Sequence, residues 1–140
     1  MVEIKPYVRR ANYYETDQMG IVHHSNYIRY FEEARIDLMR QVGLDCKKLE
    51  ELNIIIPVLD AYGQYKKSVK FDDEVVIYTK LTKFTGVKLE CSYEVRFKET
   101  NEIAAIGHTS HCFVDENFKP FSLKRKYPDI YEGFLELLEK

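Results

Sequence analysis

The chain has 140 residues, of which 45% are hydrophobic and 14% aromatic, with a formal charge of -2 at pH 7. This length suits one domain with a buried core, so we expect residues 1–140 to form a single domain. The slight negative charge argues against a nucleic-acid partner, which would call for a basic excess. No stretch approaches the ~18 apolar residues of a membrane span, and residues 1–5 lack an apolar signal core. We therefore expect a cytoplasmic protein with no integral membrane segment.

The three cysteines, Cys46, Cys91 and Cys112, cannot all pair with one another, and none lies in a Cys-x-x-Cys motif. Reducing compartments keep such thiols free. We therefore expect free thiols, in agreement with a cytoplasmic location.

The N-terminal part of the chain predicts a strand followed by a long helix. Residues 4–14 have the pattern of a strand, and Pro6 places it near a sheet edge or at a strand start. After a polar loop, apolar residues recur every three or four positions, which is typical of one helical face. Those residues are Tyr27, Phe31, Ala34, Leu38 and Val42. Ser25 or Asn26 is expected to cap this helix, and Gly43 to end it.

The rest of the chain predicts four further strands and two helices. They are a short helix at 45–52, strands at 54–69, 75–81, 89–97 and 103–114, and a final helix from residue 128. Asp45 is the expected cap of the short helix, and Pro57 interrupts the first of these strands. Residues 71–74 and 100–102 are expected turns. Pro128 suits the first turn of the final helix. The predicted inner side of that helix carries Ile130, Tyr131, Phe134, Leu135 and Leu138.

The most regular alternation runs through residues 89–97, where apolar and polar side chains take turns. Such a strand has one buried and one solvated face, as in antiparallel sheets. Together with the element order, it predicts an α+β fold in which an antiparallel sheet packs against one major helix. A single helix leaves sheet edges uncovered, so self-association is a reasonable expectation.

Asp17 is the best candidate for a catalytic carboxylate. It lies in the turn Asp-Gln-Met-Gly, a few residues before the expected helix N-terminus. Unpaired backbone amides near residues 25–28 can polarise a carbonyl oxygen, with help from the helix dipole. A carboxylate opposite that carbonyl can attack it or activate water, which predicts acyl-transfer hydrolysis. The alternative is structural, because aspartate often stabilises a turn through its own backbone.

The four histidines do not predict a metal site. His23 and His24 point in different directions if their segment is extended, and His108 and His111 face opposite sides of a strand. No HExxH motif or cysteine pair accompanies them. His24 can instead line the pocket beside Asp17, where it would orient a reacting group or contact the substrate. The alternative is that it caps the helix.

Several other charged residues are weaker candidates. Glu32 and Glu33 fall on the first turns of the helix, where one faces the pocket or both pair with arginines. Lys66 with Lys67, and the basic run at 124–126, can meet the phosphates of a nucleotide-bearing carrier or form solvated patches. No GxGxxG, Walker or GxSxG motif is present, which counts against hydride transfer, nucleotide hydrolysis and serine hydrolases.

A longer motif runs through the polar loop and into the helix. Its residues are Tyr14, Asp17, Gly20, Val22, His24, Asn26 and Tyr27, continuing with Tyr30, Phe31, Glu32, Ala34 and Arg35. It resembles the signature of hotdog-fold acyl-CoA thioesterases of the 4-hydroxybenzoyl-CoA thioesterase-like group. Within that group it is similar to the small thioesterases found beside the bacterial Tol–Pal system. The element order and the strand end at residues 107–115 extend the resemblance over almost the whole chain.

The resemblance implies the hotdog fold, a highly curved antiparallel sheet wrapped around the central helix. It also implies a homodimer whose two sheets join, commonly doubled to a homotetramer, with active sites at the dimer interface. Pocket depth would then depend on how residues 54–65 pack against a partner subunit.

Residue by residue, the resemblance places the family's catalytic carboxylate on Asp17, as nucleophile or general base. The position whose backbone amide polarises the thioester carbonyl falls on His24, where the benzoyl-specific enzyme has tyrosine. This is the aliphatic-thioesterase pattern and counts against 4-hydroxybenzoyl specificity. The expected substrate-binding residues are Tyr14, Gly20, Val22, Asn26, Tyr27 and Glu32. A different hotdog branch uses a carboxylate midway along the helix, for which Glu32 or Glu33 would be the counterpart.

The expected reaction is hydrolysis of an acyl-CoA to a free carboxylic acid and CoA, with no metal or redox cofactor. One alternative is a thioesterase that acts on acyl carrier protein with the same chemistry. Another is a non-catalytic module that binds acyl-CoA or lipid. Residue periodicity does not fix the acyl chain length or the preference for aromatic or aliphatic groups.

Overall fold

The computed structural model describes residues 3–138, so the predicted domain of residues 1–140 extends slightly beyond it at both ends. The strands are β1 (Tyr7–Arg10), β2 (Val58–Tyr65), β3 (Glu74–Phe84), β4 (Lys88–Phe97) and β5 (Ile103–Cys112). The helices are α1 (Ser25–Gln41), α2 (Cys46–Glu51), α3 (Leu123–Lys126) and α4 (Pro128–Leu138), and a 3-10 turn spans Tyr13–Glu15.

The five strands form one antiparallel sheet in the order β1-β3-β4-β5-β2. The sheet curves around α1, which contacts β1, β2 and β3. The predicted α+β class and the hotdog arrangement are confirmed. β1 and β2 are the edges of this sheet, which leaves β2 unpaired on its outer side.

The apolar stripe predicted for α1 is confirmed at four of its five residues, whereas Val42 lies just beyond the helix and is half-buried. Tyr27, Phe31, Ala34 and Leu38 are buried, because their spacing places them on the face that meets the sheet. Gly43 follows the helix with φ +79°, the left-handed conformation predicted for the residue that ends it.

Gly107 on β5 lets α1 approach the sheet closely. A Cβ at this position would lie 2.4 Å from the Phe31 ring, so only glycine fits. Phe31 also stacks on Tyr93, with ring centroids 4.5 Å apart and an interplanar angle of 11°. This contact fixes the height of α1 above the sheet.

The predicted cap of α1 is wrong. The N-cap residue is His24, and no side chain caps the helix there. The Ser25 hydroxyl bonds to the His23 ring at 2.9 Å, and Asn26 donates from Nδ2 to the Glu15 carbonyl at 2.9 Å. Both candidate side chains are therefore engaged elsewhere.

Four strands differ from the prediction by two residues or more at one end or both. β3 extends to Phe84, three residues beyond the predicted end at residue 81. β1 is shorter than residues 4–14, because the chain turns at Asn12 into the 3-10 turn. β2 begins immediately after Pro57, as the proline predicted, but ends at Tyr65 rather than at residue 69. β5 ends at Cys112, and Val114 beyond it forms only isolated bridges, to Ile55 and Pro120.

The helices other than α1 agree in part with the prediction. Asp45 caps α2 by accepting a hydrogen bond from the Lys47 amide, and α4 begins at Pro128, both as predicted. The buried residues of α4 are Phe134, which was predicted, and Leu137, which was not. The sequence analysis did not predict α3, because this short helix is mostly basic and Leu123 is its one buried residue.

Cys46, Cys91 and Cys112 are free thiols, as predicted. Burial raises the pKa of the Cys91 thiol to about 11, which keeps it protonated at neutral pH. Across residues 3–138, no helix combines the length and the apolar character needed to cross a bilayer.

Candidate active site

Asp17 opens a tight loop whose hydrogen bonds fix its position. Its amide donates to the Ile21 carbonyl, and its own carbonyl accepts from the Gly20 amide, both at 2.9 Å. Gly20 has φ +80°, which the turn requires and which glycine adopts at little cost. The carboxylate is half-buried. Its Oδ1 accepts from the Met19 amide at 2.8 Å, while Oδ2 accepts no hydrogen bond from residues 3–138.

The structural and catalytic interpretations of Asp17 are therefore compatible. One carboxylate oxygen stabilises the turn, as aspartates in turns often do. The other oxygen is left to act on a ligand.

The start of α1 offers one unpaired backbone donor. The Ser25 amide donates to the His23 ring at 3.2 Å, and the Asn26 and Tyr27 amides donate to the carbonyls of His23 and His24. Within the described residues, the His24 amide donates to no group. The unpaired amide thus lies at His24, just before the range of residues 25–28 that the sequence suggested.

Asp17 and His24 line the same pocket, which has a volume of about 260 Å³. Val22 and Tyr27 also line it, so four of the predicted site residues come together. The remaining lining residues are Met19, Ile21, Tyr65, Lys66, Lys67 and Ser68. Tyr65 closes one side, with its ring centroid 4.8 Å from that of Tyr27. Burial raises the pKa of Tyr27 to about 12, so its phenol is neutral.

The structure places the other predicted site residues away from this pocket. Tyr14 is 79% exposed, and its hydroxyl accepts a hydrogen bond from Asn12. Asn26 is buried against the Glu15 carbonyl. Glu32 lies on an exposed part of α1 and borders a different cavity. Gly20 shapes the loop without lining the pocket.

The histidine rings are arranged differently from the sequence expectation. His23 and His24 stack with centroids 4.2 Å apart, because His24 already has helical dihedral angles and the segment is not extended. His108 is exposed and His111 is buried, so the prediction that they face opposite sides of β5 is confirmed. No group of three or more His, Cys, Asp or Glu side chains in residues 3–138 is arranged to hold a metal ion.

The second cavity, of about 270 Å³, lies between α1, α2, α4 and the sheet. Its walls are mostly apolar and include Ile36, Met39, Leu49, Ile54, Leu89 and Phe134. Glu32 and Arg35 are the charged residues of α1 at its border. It shares no lining residue with the Asp17 pocket.

A buried polar chain crosses the core beneath the middle of α1. Arg35 donates to the Tyr93 hydroxyl at 3.2 Å, Tyr93 bonds to the Thr109 hydroxyl at 2.7 Å, and Thr109 bonds to His111 Nε2 at 2.8 Å. Burial, with the nearby Arg35 charge, lowers the pKa of His111 to about 4. His111 is therefore neutral at physiological pH.

Sequence reasoning missed Glu15, the most buried carboxylate near the site. It is only 4% exposed and forms a salt bridge with Arg9. The Asn12 amide donates to Glu15 Oε1 at 2.8 Å, as in one half of a capping box, so the spacing Asn-x-x-Glu was a signal for this contact.

The chain also has clear relatives. A family model described as the thioesterase-like superfamily matches residues 12–136. The chain is 39% identical over 124 residues to a putative esterase of Aquifex aeolicus. The matched region covers 89% of this chain and 94% of that protein. It is 32% identical over 125 residues to the putative acyl-CoA thioesterase YneP of Bacillus subtilis, which covers 89% of this chain and 90% of that protein.

Solved structures resemble this one closely. A DHNA-CoA thioesterase from Staphylococcus aureus superposes with a TM-score of 0.91 at 32% identity. The superposition covers 96% of this chain and 91% of that one.

Proposed function

The chain belongs to the thioesterase-like superfamily and is a thioester hydrolase of hotdog fold, and from this premise we propose that it hydrolyses acyl-CoA through Asp17 and the backbone amide of His24. One observation carries the proposal. Within residues 3–138, Asp17 has a carboxylate oxygen and His24 a backbone amide without a hydrogen-bond partner, and both residues line the same pocket. If a thioester carbonyl binds between them, the carboxylate can take a proton from water or attack the carbonyl carbon. The amide can donate a hydrogen bond to the carbonyl oxygen.

The His24 amide binds the carbonyl oxygen and stabilises the negative charge that develops on it. The N-terminal end of the α1 dipole adds to this effect. Since the donor belongs to the backbone and makes no other hydrogen bond, no existing interaction is lost when the substrate binds.

Asp17 acts as a general base or as a nucleophile. As a base it takes a proton from water, the hydroxide adds to the carbonyl carbon, and the C–S bond then breaks as the proton passes to sulfur. As a nucleophile it displaces CoA to form a mixed anhydride, which water hydrolyses to the acid and free Asp17. Both routes yield a carboxylic acid and CoA and use no metal or redox group.

CoA is the proposed carrier of the acyl group. Lys66 and Lys67 line the Asp17 pocket, and Lys67 is paired with Glu102. Lys66 forms no ion pair among the described residues, and its exposed ammonium can meet a phosphate of CoA. The alternative carrier is acyl carrier protein.

The apolar cavity between α1, α2 and α4 is the proposed site for the acyl group. Within one protomer, Glu32 at its border lies roughly 12 Å along α1 from His24, at 1.5 Å per residue. We propose that the chain forms a dimer whose sheets join at β2. In this dimer the second copy supplies the wall that connects the Asp17 pocket with the acyl cavity. The exposed apolar residues of this edge strand support that interface: Val58, Leu59, Tyr62 and Tyr65. A tetramer formed from two such dimers is a further proposal.

Other parts of the assignment stay predictions. They include the Tol–Pal-associated subgroup, the single domain over residues 1–140 and the roles of Tyr14, Asn26 and Glu32 in substrate binding. The free cysteines favour a reducing, cytoplasmic compartment.

A thiol-release assay over a panel of aliphatic and aromatic acyl-CoAs tests the proposal. We expect turnover of at least one acyl-CoA, and faster turnover of the same acyl group on CoA than on acyl carrier protein. Faster turnover on the carrier protein would assign the alternative substrate. Tight binding of acyl-CoA with no thiol release would assign a non-catalytic module and overturn the enzymatic proposal.

A further inference from the structure

The buried carboxylate of Glu15 lies beneath the loop that carries Asp17. Its Oε1 accepts hydrogen bonds from Arg9 Nη1 at 2.6 Å, from the Asn12 amide at 2.8 Å and from the Tyr30 hydroxyl at 2.8 Å. A buried charge is tolerated only where it is paired and hydrogen-bonded, and Glu15 meets both conditions. The carboxylate is therefore held in one place from three directions.

Arg9 connects Glu15 to α1. Its Nη1 binds Glu15, while its Nε and Nη2 bind the two carboxylate oxygens of Glu33 at 2.9 and 3.2 Å. Its guanidinium lies 4.3 Å from the centre of the Tyr30 ring. Burial alone would lower the pKa of Arg9, but hydrogen bonds to Glu33 and Glu15 outweigh it and raise the pKa. Arg9 thus keeps its charge and joins the loop to the helix.

The main-chain carbonyl of Glu15 positions the segment that carries the His24 amide. Its carbonyl accepts from the His23 amide at 2.8 Å and from Asn26 Nδ2 at 2.9 Å. His23 directly precedes His24, and Asp17 follows Glu15 at the second position. The carboxylate and the amide of the site are therefore both placed relative to Glu15.

We propose that Glu15, held by Arg9 and Tyr30, is a positioning residue that sets the distance between the Asp17 carboxylate and the His24 amide. The inference rests on the proposed function. Reacting groups must meet within a few tenths of an ångström, and a misplacement of about 1 Å can cost ~100-fold in rate. A looser Glu15 would leave the pocket and the substrate contacts in place and would slow the chemical step.

Two tyrosines of this network form a matched pair for the test. The Tyr30 hydroxyl donates to Glu15 at 2.8 Å, and the Tyr7 hydroxyl donates to Glu33 at 3.0 Å. Each Tyr→Phe substitution removes one hydroxyl from a carboxylate that binds Arg9, but only Tyr30→Phe weakens the hold on Glu15. Activity is measured on the best acyl-CoA of the panel, well below the melting temperatures of all variants.

We expect Tyr30→Phe to lower kcat by ~10-fold or more with KM within about three-fold of the original, and Tyr7→Phe to change neither appreciably. Glu15→Gln, which also removes the ion pair with Arg9, should lower kcat further, by ~100-fold.

Equal kcat values for Tyr30→Phe, Tyr7→Phe and the original chain would overturn the inference. A loss of kcat that is the same in both tyrosine variants would also overturn it, because it would reflect general loosening. If Glu15→Gln fails to fold, the tyrosine pair still decides. An unmodified chain that releases no thiol would instead defeat the proposed function, which keeps the two failures distinct.

Discussion

Two histidines lie in regions of opposite character. His24 is exposed at the start of α1, where it lines a pocket and its backbone amide has no partner among the described residues. His111 is fully buried on β5, where its Nε2 is bonded to Thr109 and only its Nδ1 lacks a hydrogen-bond partner among residues 3–138. Polar groups paired inside a core contribute specificity and stability, whereas an unpaired group at an open pocket is available to a ligand. This difference supports the proposed chemical role of the start of α1 and a structural role for the polar chain beneath its middle.

The largest effect is expected from Asp17→Asn. The asparagine keeps an oxygen for the Met19 amide, so the turn is preserved, but it cannot act as base or nucleophile. We expect kcat to fall by ~10²–10⁴-fold with an unchanged melting temperature, measured by thiol release and thermal unfolding. Asp45→Asn is the matched control, because Asp45 also accepts from the amide two residues ahead and lies away from the pocket. Unchanged turnover in Asp17→Asn would remove Asp17 from the mechanism.

The next effect separates the backbone of His24 from its side chain. His24 has φ -56°, which proline can adopt, and its amide makes no hydrogen bond in residues 3–138 that proline would break. His24→Pro should therefore fold and lose ~10²–10³-fold in kcat, the usual cost of one oxyanion donor. His24→Ala keeps the amide and should retain most of the activity. If alanine is as damaging as proline, the imidazole acts in place of the amide.

A smaller, pH-dependent effect is expected at His111. Its pKa of about 4 in the folded chain lies below the ordinary 6.5, so the unfolded chain binds more protons between these values. This contribution to stability is complete above pH 6.5 and is lost as the pH falls toward 4, by about 3 kcal/mol.

The measurement is the free energy of unfolding in denaturant between pH 7 and pH 4. His111→Gln should flatten its decline at acid pH, whereas His108→Gln, at an exposed position on the same strand, should not. Parallel curves for His111→Gln and the original chain would show that another group carries the acid sensitivity.

The smallest effect is expected where α1 meets the sheet. Gly107→Ala places a Cβ 2.4 Å from Phe31, and the ring is already stacked on Tyr93. We expect a loss of about 1–3 kcal/mol in the free energy of unfolding, typical of an overpacked core. Gly43→Ala, which meets open space but has a left-handed φ, should cost only about 1 kcal/mol. The same Cβ would lie 2.6 Å from the Tyr62 carbonyl oxygen, so a tolerated Gly107→Ala would mean that both α1 and β2 can shift at this point.

Local chemistry predicted much of this molecule. Gly43, Asp45 and Pro128 mark element ends through properties of single residues, and the structure agrees at all three. The stripe of α1 followed from spacing alone. Asp17 and His24 were identified through a motif, and the structure places both at one pocket.

The errors arise where distant residues compete for the same group. Asn26 looked like a helix cap, but the Glu15 carbonyl, eleven positions earlier, takes its side-chain amide. The apolar pattern does not indicate that Glu15 is buried, because its burial depends on contacts with Arg9 and Tyr30. Such pairings depend on tertiary contacts that periodicity does not encode.

A donor supplied by the main chain survives every substitution except proline. The side chain at position 24 can therefore change in evolution while the proposed oxyanion contact persists, and selection for a new acyl group can act there. At this one position, the backbone can serve hydrolysis and the side chain can serve substrate choice, so the two properties can evolve independently.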